Sequence, residues 1–375
     1  MTNTILIVGG YGVFGGFLAK ALTADPTFDV IVAGRSLEKA NAHCAEFGGR
    51  ALKLDINDSE LDDRLAALAP SVVVDAAGPF QTYGDEPYRM VKAALRSGAH
   101  YLDLSDDAEF TKGISRFDAE ARQKHLTAVS GASSVPALSS AVVHALSDGL
   151  SQIETIDMAI VPGNRAPRGI SVIRAIIGQA GRPMRVWQNK SWITVTGWSE
   201  LTTLNLRVAG TAPLKGRWAS NIGSPDLELF PEYFSARTVR FKAGLELKTL
   251  HGGLALLSLP VRMGWVPSLA PLAPVVKWIA DRLEFAGSDR GGMVVSVTGT
   301  TPNERLSTRR WTLIAEAGDG PRIPAIPAEI LCRKLVHTTS VEPGARPCLC
   351  EFTLDEADLA LKKFAIVTQT DGADG

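Results

Sequence analysis

Five glycines, Gly9, Gly10, Gly12, Gly15 and Gly16, stand directly behind an uninterrupted apolar run, Ile5, Leu6, Ile7 and Val8. Gly10, Gly12 and Gly15 fit G-x-G-x-x-G, and Gly9, Gly12 and Gly15 fit the looser G-x-x-G-x-x-G. Behind them Phe14, Phe17, Leu18 and Leu22 recur at helical spacing. A turn without side chains lets a pyrophosphate approach the backbone, and Gly15 lets the helix lie close on the strand. The free N–H groups of the helix N-terminus then face the phosphates. The spacing predicts a dinucleotide site at Gly9, Gly10, Tyr11, Gly12, Val13, Phe14 and Gly15. The competing reading is a glycine turn that serves packing alone.

The end of the second predicted strand selects the nucleotide. Ala33 is followed by Gly34, Arg35 and Ser36, with Lys39 one helical turn on. A site for NAD usually places an acidic side chain here to hold the ribose hydroxyls. A guanidinium and a hydroxyl suit a 2′-phosphate instead. The expected cofactor is therefore NADP(H), held in part by Arg35, Ser36 and Lys39. Asp55, after the third strand, either meets the adenine edge or caps the helix that follows. Ala77, Gly78, Pro79 and Phe80 end the fourth strand at the height of the nicotinamide ribose.

Hydride chemistry also needs a group that manages a proton. Tyr83 and Asp106 are the catalytic candidates; the alternatives are a packed loop aromatic and, for Asp106 or Asp107, a helix cap. Gln81, Asp103, Ser133, Ser134 and His251 are candidates for binding substrate. Ser133 and Ser134 precede a helix, where capping is the other reading. The remaining histidines fall on predicted helices or at strand starts. No H-E-x-x-H, G-x-S-x-G or Walker pattern occurs, and no metal site is expected.

These residues need a frame. Strands are expected at 5–8, 30–33, 51–54, 72–75, 100–102 and 127–130, and helices at 14–23, 37–47, 59–68, 86–97, 107–124 and 137–146. Short apolar strands alternating with helices read as a doubly wound parallel sheet, whose ligand crevice lies beyond the carboxyl ends of the strands. After residue 150 the pattern changes to longer alternating strands. Hairpins are expected around residues 188–190 and around Gly244, with further strands at 293–298 and 311–315. The fold class is thus α/β, with a second α+β, largely antiparallel domain for substrate or dimerisation. The expected boundaries are 1–150, 151–322 and 323–375, the last a set of helices packing back on the first domain. Thr353 and Glu356 stand in capping-box register at the last of these helices.

The chain has 375 residues and a net charge of -1, so nothing in its balance points to nucleic acid. Its four cysteines are too few for a disulfide scaffold, and Cys348 and Cys350 lack a second pair for zinc. A core strand begins almost at once, so no signal peptide is expected and the localisation expected is cytoplasmic. Residues 254–283 are unusually apolar but are broken by Pro260, Pro267, Pro271 and Pro274. A spanning helix is not expected there. A buried cap over a pocket or a subunit interface is the main reading, and an interfacial membrane contact the sharper one.

Taken together, GGYGVFGG (9–16), AGRS (33–36), DAAGPFQTYG (75–84), HYLDLSDDAEF (100–110) and SGASSVPALSS (130–140) resemble the saccharopine-dehydrogenase-like oxidoreductases, a group that includes trans-acting enoyl reductases. The resemblance is strongest over the first 150 residues. It continues loosely through WASN (218–221), DLELFP (226–231) and GGMVVSVTG (291–299). It implies an N-terminal Rossmann domain, NADP(H), a second domain closing over a small-molecule substrate, and a homodimer. The chain departs from the family in having Ser105, Asp106 and Asp107 where members often carry Gly and Glu. It also has Ser133 where many carry Asp. The expected function is hydride transfer to or from a C=N, C=O or C=C bond of a small metabolite. A lipid-linked enoyl reductase and a non-catalytic NADP-binding sensor or scaffold are the alternatives.

Overall fold

The computed structural model describes residues 3–338 and 340–374. In chain order the strands are β1 (Asn3–Val8), β2 (Phe28–Gly34), β3 (Arg50–Lys53), β4 (Val72–Asp75), β5 (His100–Asp103), β6 (Thr127–Ser130), β7 (Gln152–Val161) and β8 (Pro183–Gln188). They continue with β9 (Ser191–Thr196), β10 (Thr202–Leu206), β11 (Leu214–Asn221), β12 (Thr238–Ala243), β13 (Gly291–Thr300), β14 (Leu306–Ala315), β15 (Gly344–Pro347) and β16 (Ile366–Asp374). The chain forms two compact units: Met1–Leu138 with Arg322–Phe352, and Ser139–Pro321 with Thr353–Gly375.

The first unit is built on a seven-stranded sheet in the order β15-β6-β5-β4-β1-β2-β3, with every neighbouring pair parallel. Parallel pairing demands crossovers, and the helices that supply them cover both faces. Ile5, Leu6, Ile7, Val72, Val73 and Val74 are fully buried for that reason. Ser36 caps the helix Leu37–Phe47 by accepting from Lys39 N, and Gly48 ends it at φ 86°.

The second unit carries a nine-stranded sheet. Its main path runs β10-β11-β12-β7-β13-β14-β16, with β8 and β9 attached at β12. Only β12 and β7 pair in parallel; the other pairs are antiparallel. The hairpin of β8 and β9 turns through Asn189 and Lys190, both at positive φ, as a two-residue hairpin turn requires. The capping box at Thr353 and Glu356 forms, opening the helix Leu354–Leu361.

Several expectations are corrected. The first unit ends at Leu138, not near 150, because the helix Ser139–Leu146 packs on β13 and β14. The C-terminal stretch from 323 is not a set of helices on the first domain. Arg322–Phe352 completes the first unit with the helix Ile326–His337 and β15, while Thr353–Gly375 belongs to the second unit and ends in β16. The region 107–124 is broken into Ala108–Gly113, a 3-10 turn and Asp118–Gln123. No hairpin forms at Gly244. A Cβ there would stand 1.8 Å from the Trp218 carbonyl oxygen, and the chain leaves the sheet to enter the helix Lys248–Leu257. Nor does the apolar stretch 254–283 form a buried cap. It folds into short helices that leave Leu256, Met263, Trp265, Val275 and Trp278 more than half exposed, with Phe285 just beyond. Among the described residues no helix is long and apolar enough to cross a membrane.

Candidate functional site

The glycine turn lies at the carboxyl end of β1. Gly9 sits at φ +77°, and a Cβ on it would meet the Ala76 carbonyl at 2.6 Å. A Cβ on Gly15 would stand 2.3 Å from the Gly9 carbonyl oxygen, and one on Gly10 2.8 Å from that of Ile7. Gly12 is different: it is exposed, its φ is -72°, and its nearest neighbour would be 3.1 Å away. It is also the N-cap of the helix Val13–Thr23, with no side chain capping it and no acidic residue in the first turn. The first-turn N–H groups are therefore free for an anion. Tyr11 lies across Gly34, which has no side chain to displace it, and its hydroxyl accepts from Ser36 N at 3.0 Å. Val13 and Phe14 start the helix, half-buried.

Arg35 and Lys39 are exposed, and among the described residues neither side chain has a hydrogen bond or ion pair. Ser36 is committed to its cap through Oγ. Asp55 accepts from Asn57 N at 3.0 Å, a local turn rather than a cap, since the next helix starts at Leu61. A glycine cradle that Cβ atoms would fill, an uncapped helix N-terminus and a free guanidinium beyond β2 together fit a 2′-phosphorylated dinucleotide.

The neighbouring strand ends carry the titratable groups. Asp75 ends β4 and Asp103 ends β5, in direct register, and both are fully buried. Burial raises Asp75 to about 6, against the hydrogen bonds from Ala77 N and Tyr83. Burial likewise raises Asp103 to about 7, although Oδ1 accepts from Gly131 N at 2.8 Å and from Ser105 N and Ser130 Oγ, each at 2.9 Å. Asp103 has no accessible surface. It acts on its surroundings by tying the loop after β5 to the end of β6. Ser133 and Ser134 stand in the following loop, nearly buried.

The loop after β4 holds Ala77, Gly78 and Pro79, half-buried, and Phe80, buried against Phe110. Tyr83 donates to both carboxylate oxygens of Asp75 at 3.0 Å. Burial and the adjacent Asp75 carboxylate push its phenol above the ordinary value. Asp106 keeps contact with solvent and accepts from Gln81 Nε2 at 3.0 Å. The protein packed around its carboxyl raises it above the usual carboxylate range. Asp107 caps the next helix through Phe110 N.

His251 lies in the second unit, in the helix Lys248–Leu257, and is almost wholly buried. A recess of about 440 Å3 there is lined by Trp198, Leu201, Trp218, Ser220, His251 and Arg262. Leu245 N donates to His251 Nδ1, which puts the ring proton on Nε2, 2.9 Å from Ser220 Oγ. Burial lowers the imidazole to about 4, so it is neutral at pH 7.

The sequence reading missed Asp75, although an acidic residue closing the run Val72–Val74 was a visible signal. It also missed Asp226, fully buried in the second unit, where Ser139 and Ser224 both donate to its carboxyl.

Residues 5–129 match the family described as the saccharopine dehydrogenase NADP binding domain. No curated protein sequence matches the chain. Among solved structures, the apo histidine-tagged saccharopine dehydrogenase (L-Glu forming) from Saccharomyces cerevisiae overlays with a TM-score of 0.65 at 15% identity, covering 99% of this chain and 100% of that one. At that identity the likeness speaks for the fold. GenD2 from gentamicin A biosynthesis, solved in complex with NAD, covers 98% of this chain and 96% of its own at 14% identity, with a TM-score of 0.43.

Proposed function

We propose, from the match of residues 5–129 to the saccharopine dehydrogenase NADP binding domain, that this chain is an NADP-dependent oxidoreductase that moves a hydride to or from a C=N, C=O or C=C bond of a small metabolite. The observation that carries this reading is the bare cradle of Gly9, Gly12 and Gly15 with the free Arg35 beyond β2. The nicotinamide, when bound, supplies the hydride acceptor or donor.

The chain's own residues divide the remaining work. Gly12 and the first-turn N–H groups receive the pyrophosphate, and Arg35 with Lys39 receives the 2′-phosphate. Tyr83 and Asp106 handle the proton. Releasing a proton from Tyr83 alone would leave a buried phenolate, so Tyr83 acts with Asp75 in its protonated form: Tyr83 gives its proton to the substrate, Asp75 passes its own to Tyr83, and the charge left is the Asp75 carboxylate. Asp106, positioned by Gln81 and open to solvent, is a separate proton carrier that exchanges with bulk water. Asp103 positions Ser105, Ser130 and Gly131, and Ser133 and Ser134 offer hydroxyls to substrate.

Arg35→Ala tests the cofactor assignment. Loss of a charge-assisted hydrogen bond of roughly 1.5–3 kcal/mol should weaken NADPH by about tenfold or more and leave NADH nearly unchanged. Fluorescence titration of both nucleotides reads the ratio, and an unchanged ratio removes Arg35 from the site. NADPH oxidation against a metabolite panel tests the activity. Tight binding without any turnover would favour the sensor reading. The exposed apolar surface of the second unit favours one narrower reading, a lipid-linked substrate for enoyl reduction.

A further inference from the structure

The second unit exposes an apolar surface with an unusual charge setting. Residues 247–280 contain Lys248, Arg262 and Lys277 and no acidic residue. Residues 158–199 contain Arg165, Arg168, Arg174, Arg182, Arg185 and Lys190, again with no acidic residue. The two stretches pack together. The helix Ile170–Gln179 lies against Ala273–Arg282 and the turn Ala270–Leu272, and Ser268 Oγ donates to the Gly178 carbonyl. Gly181 sits so close to Ser258 and Val261 that a Cβ would stand 2.4 Å from the Ser258 carbonyl oxygen.

Some of these cations are already engaged: Lys277 with Asp281 and Arg185 with Glu228. Arg165, Arg174, Arg182, Lys248 and Arg262 reach solvent. Within residues 247–280 Trp265 is 74% exposed, Trp278 59% and Leu256 69%. Arg282 stacks on the Trp278 ring at 4.9 Å. Bare apolar side chains of this number mark a binding surface. Tryptophans beside arginines, on short helices that cannot cross a bilayer, fit the boundary between headgroups and acyl chains. A second copy docked two-fold on the same face would bring like cations together.

We propose that this face seats the protein on an anionic lipid bilayer, with the apolar side chains entering the headgroup layer and the arginines and lysines meeting lipid phosphates. The inference concerns the second unit alone and does not depend on the oxidoreductase reading.

Flotation of the full chain with vesicles tests it. Vesicles of phosphatidylcholine mixed with phosphatidylglycerol should carry the protein upward, and phosphatidylcholine alone should carry much less. Added salt should weaken the capture. Brominated acyl chains in the anionic vesicles should quench the tryptophan fluorescence. The double variant Trp265→Glu, Trp278→Glu should lose vesicle affinity by about tenfold or more while its melting temperature and NADPH binding stay as in the wild type. Three results would overturn the proposal. The wild type fails to float with anionic vesicles, or the double variant floats equally well. Alternatively, the chain ignores vesicles and sediments as a dimer that the same two substitutions dissociate, which assigns the face to a second copy.

Discussion

At the glycine turn, the space around each missing Cβ separates packing from binding. Gly15 has none, since the Gly9 carbonyl oxygen would stand 2.3 Å away, whereas Gly12 faces solvent with a tolerable neighbour. Gly12→Val is expected to abolish NADPH binding with a small fall in melting temperature, because its side chain takes the ligand's place and meets the Gly9 carbonyl oxygen, 3.1 Å from a Cβ. Gly15→Val is expected to lower the melting temperature as well; calorimetry with nucleotide titration checks both. Asp103 makes a prediction in pH. Its folded pKa lies above the ordinary 3.8, at about 7, so its contribution to stability is present below 3.8 and lost as pH rises through 7. Asp103→Asn removes that loss. Its melting temperature relative to wild type should be more favourable at pH 8 than at pH 5, and equal differences at both would refute the assignment.

At the scale of elements, what was legible follows from how each strand is buried. Strands β1 and β4 are buried and carry unbroken apolar runs, Ile5–Val8 and Val72–Val74, so their positions were plain in the sequence. Strand β15 is Gly-Ala-Arg-Pro, an edge strand held by its pairing with β6, and no hydrophobic pattern announces it. The stretch Leu245–Lys248 looked like a strand because Leu245 and Leu247 alternate. What decided otherwise is tertiary: Gly244 is pressed on the Trp218 carbonyl and a helix follows. The same holds for the site. Gly9 to Gly15 and Arg35 were readable from spacing, since local backbone geometry sets them. The pairing of Asp75 with Asp103 required the β4–β5 register, and the recess around His251 required Trp198, in the turn after β9, and Trp218, on β11, to be brought in from distant parts of the chain.

For the molecule as a whole, the decisive fact is that neither unit is a continuous stretch of chain. The segment beyond Pro321 supplies β15 and the helix Ile326–His337 to the first unit, and β16 to the second. Truncation after Pro321 therefore strips an edge strand from each sheet. It should remove cooperative thermal unfolding and NADPH binding together, as scanning calorimetry and titration would show. A truncated chain that melts cooperatively and binds NADPH would make the C-terminal segment an accessory. The same interleaving has a consequence for biosynthesis. Domains ordinarily fold in turn as they leave the ribosome, the N-terminal one first. Here the glycine turn is made long before β15 and β16, the edge strands that complete the two sheets. A polypeptide stopped before β15 would carry the glycine turn on a sheet short of one edge strand, and the second sheet would lack β16.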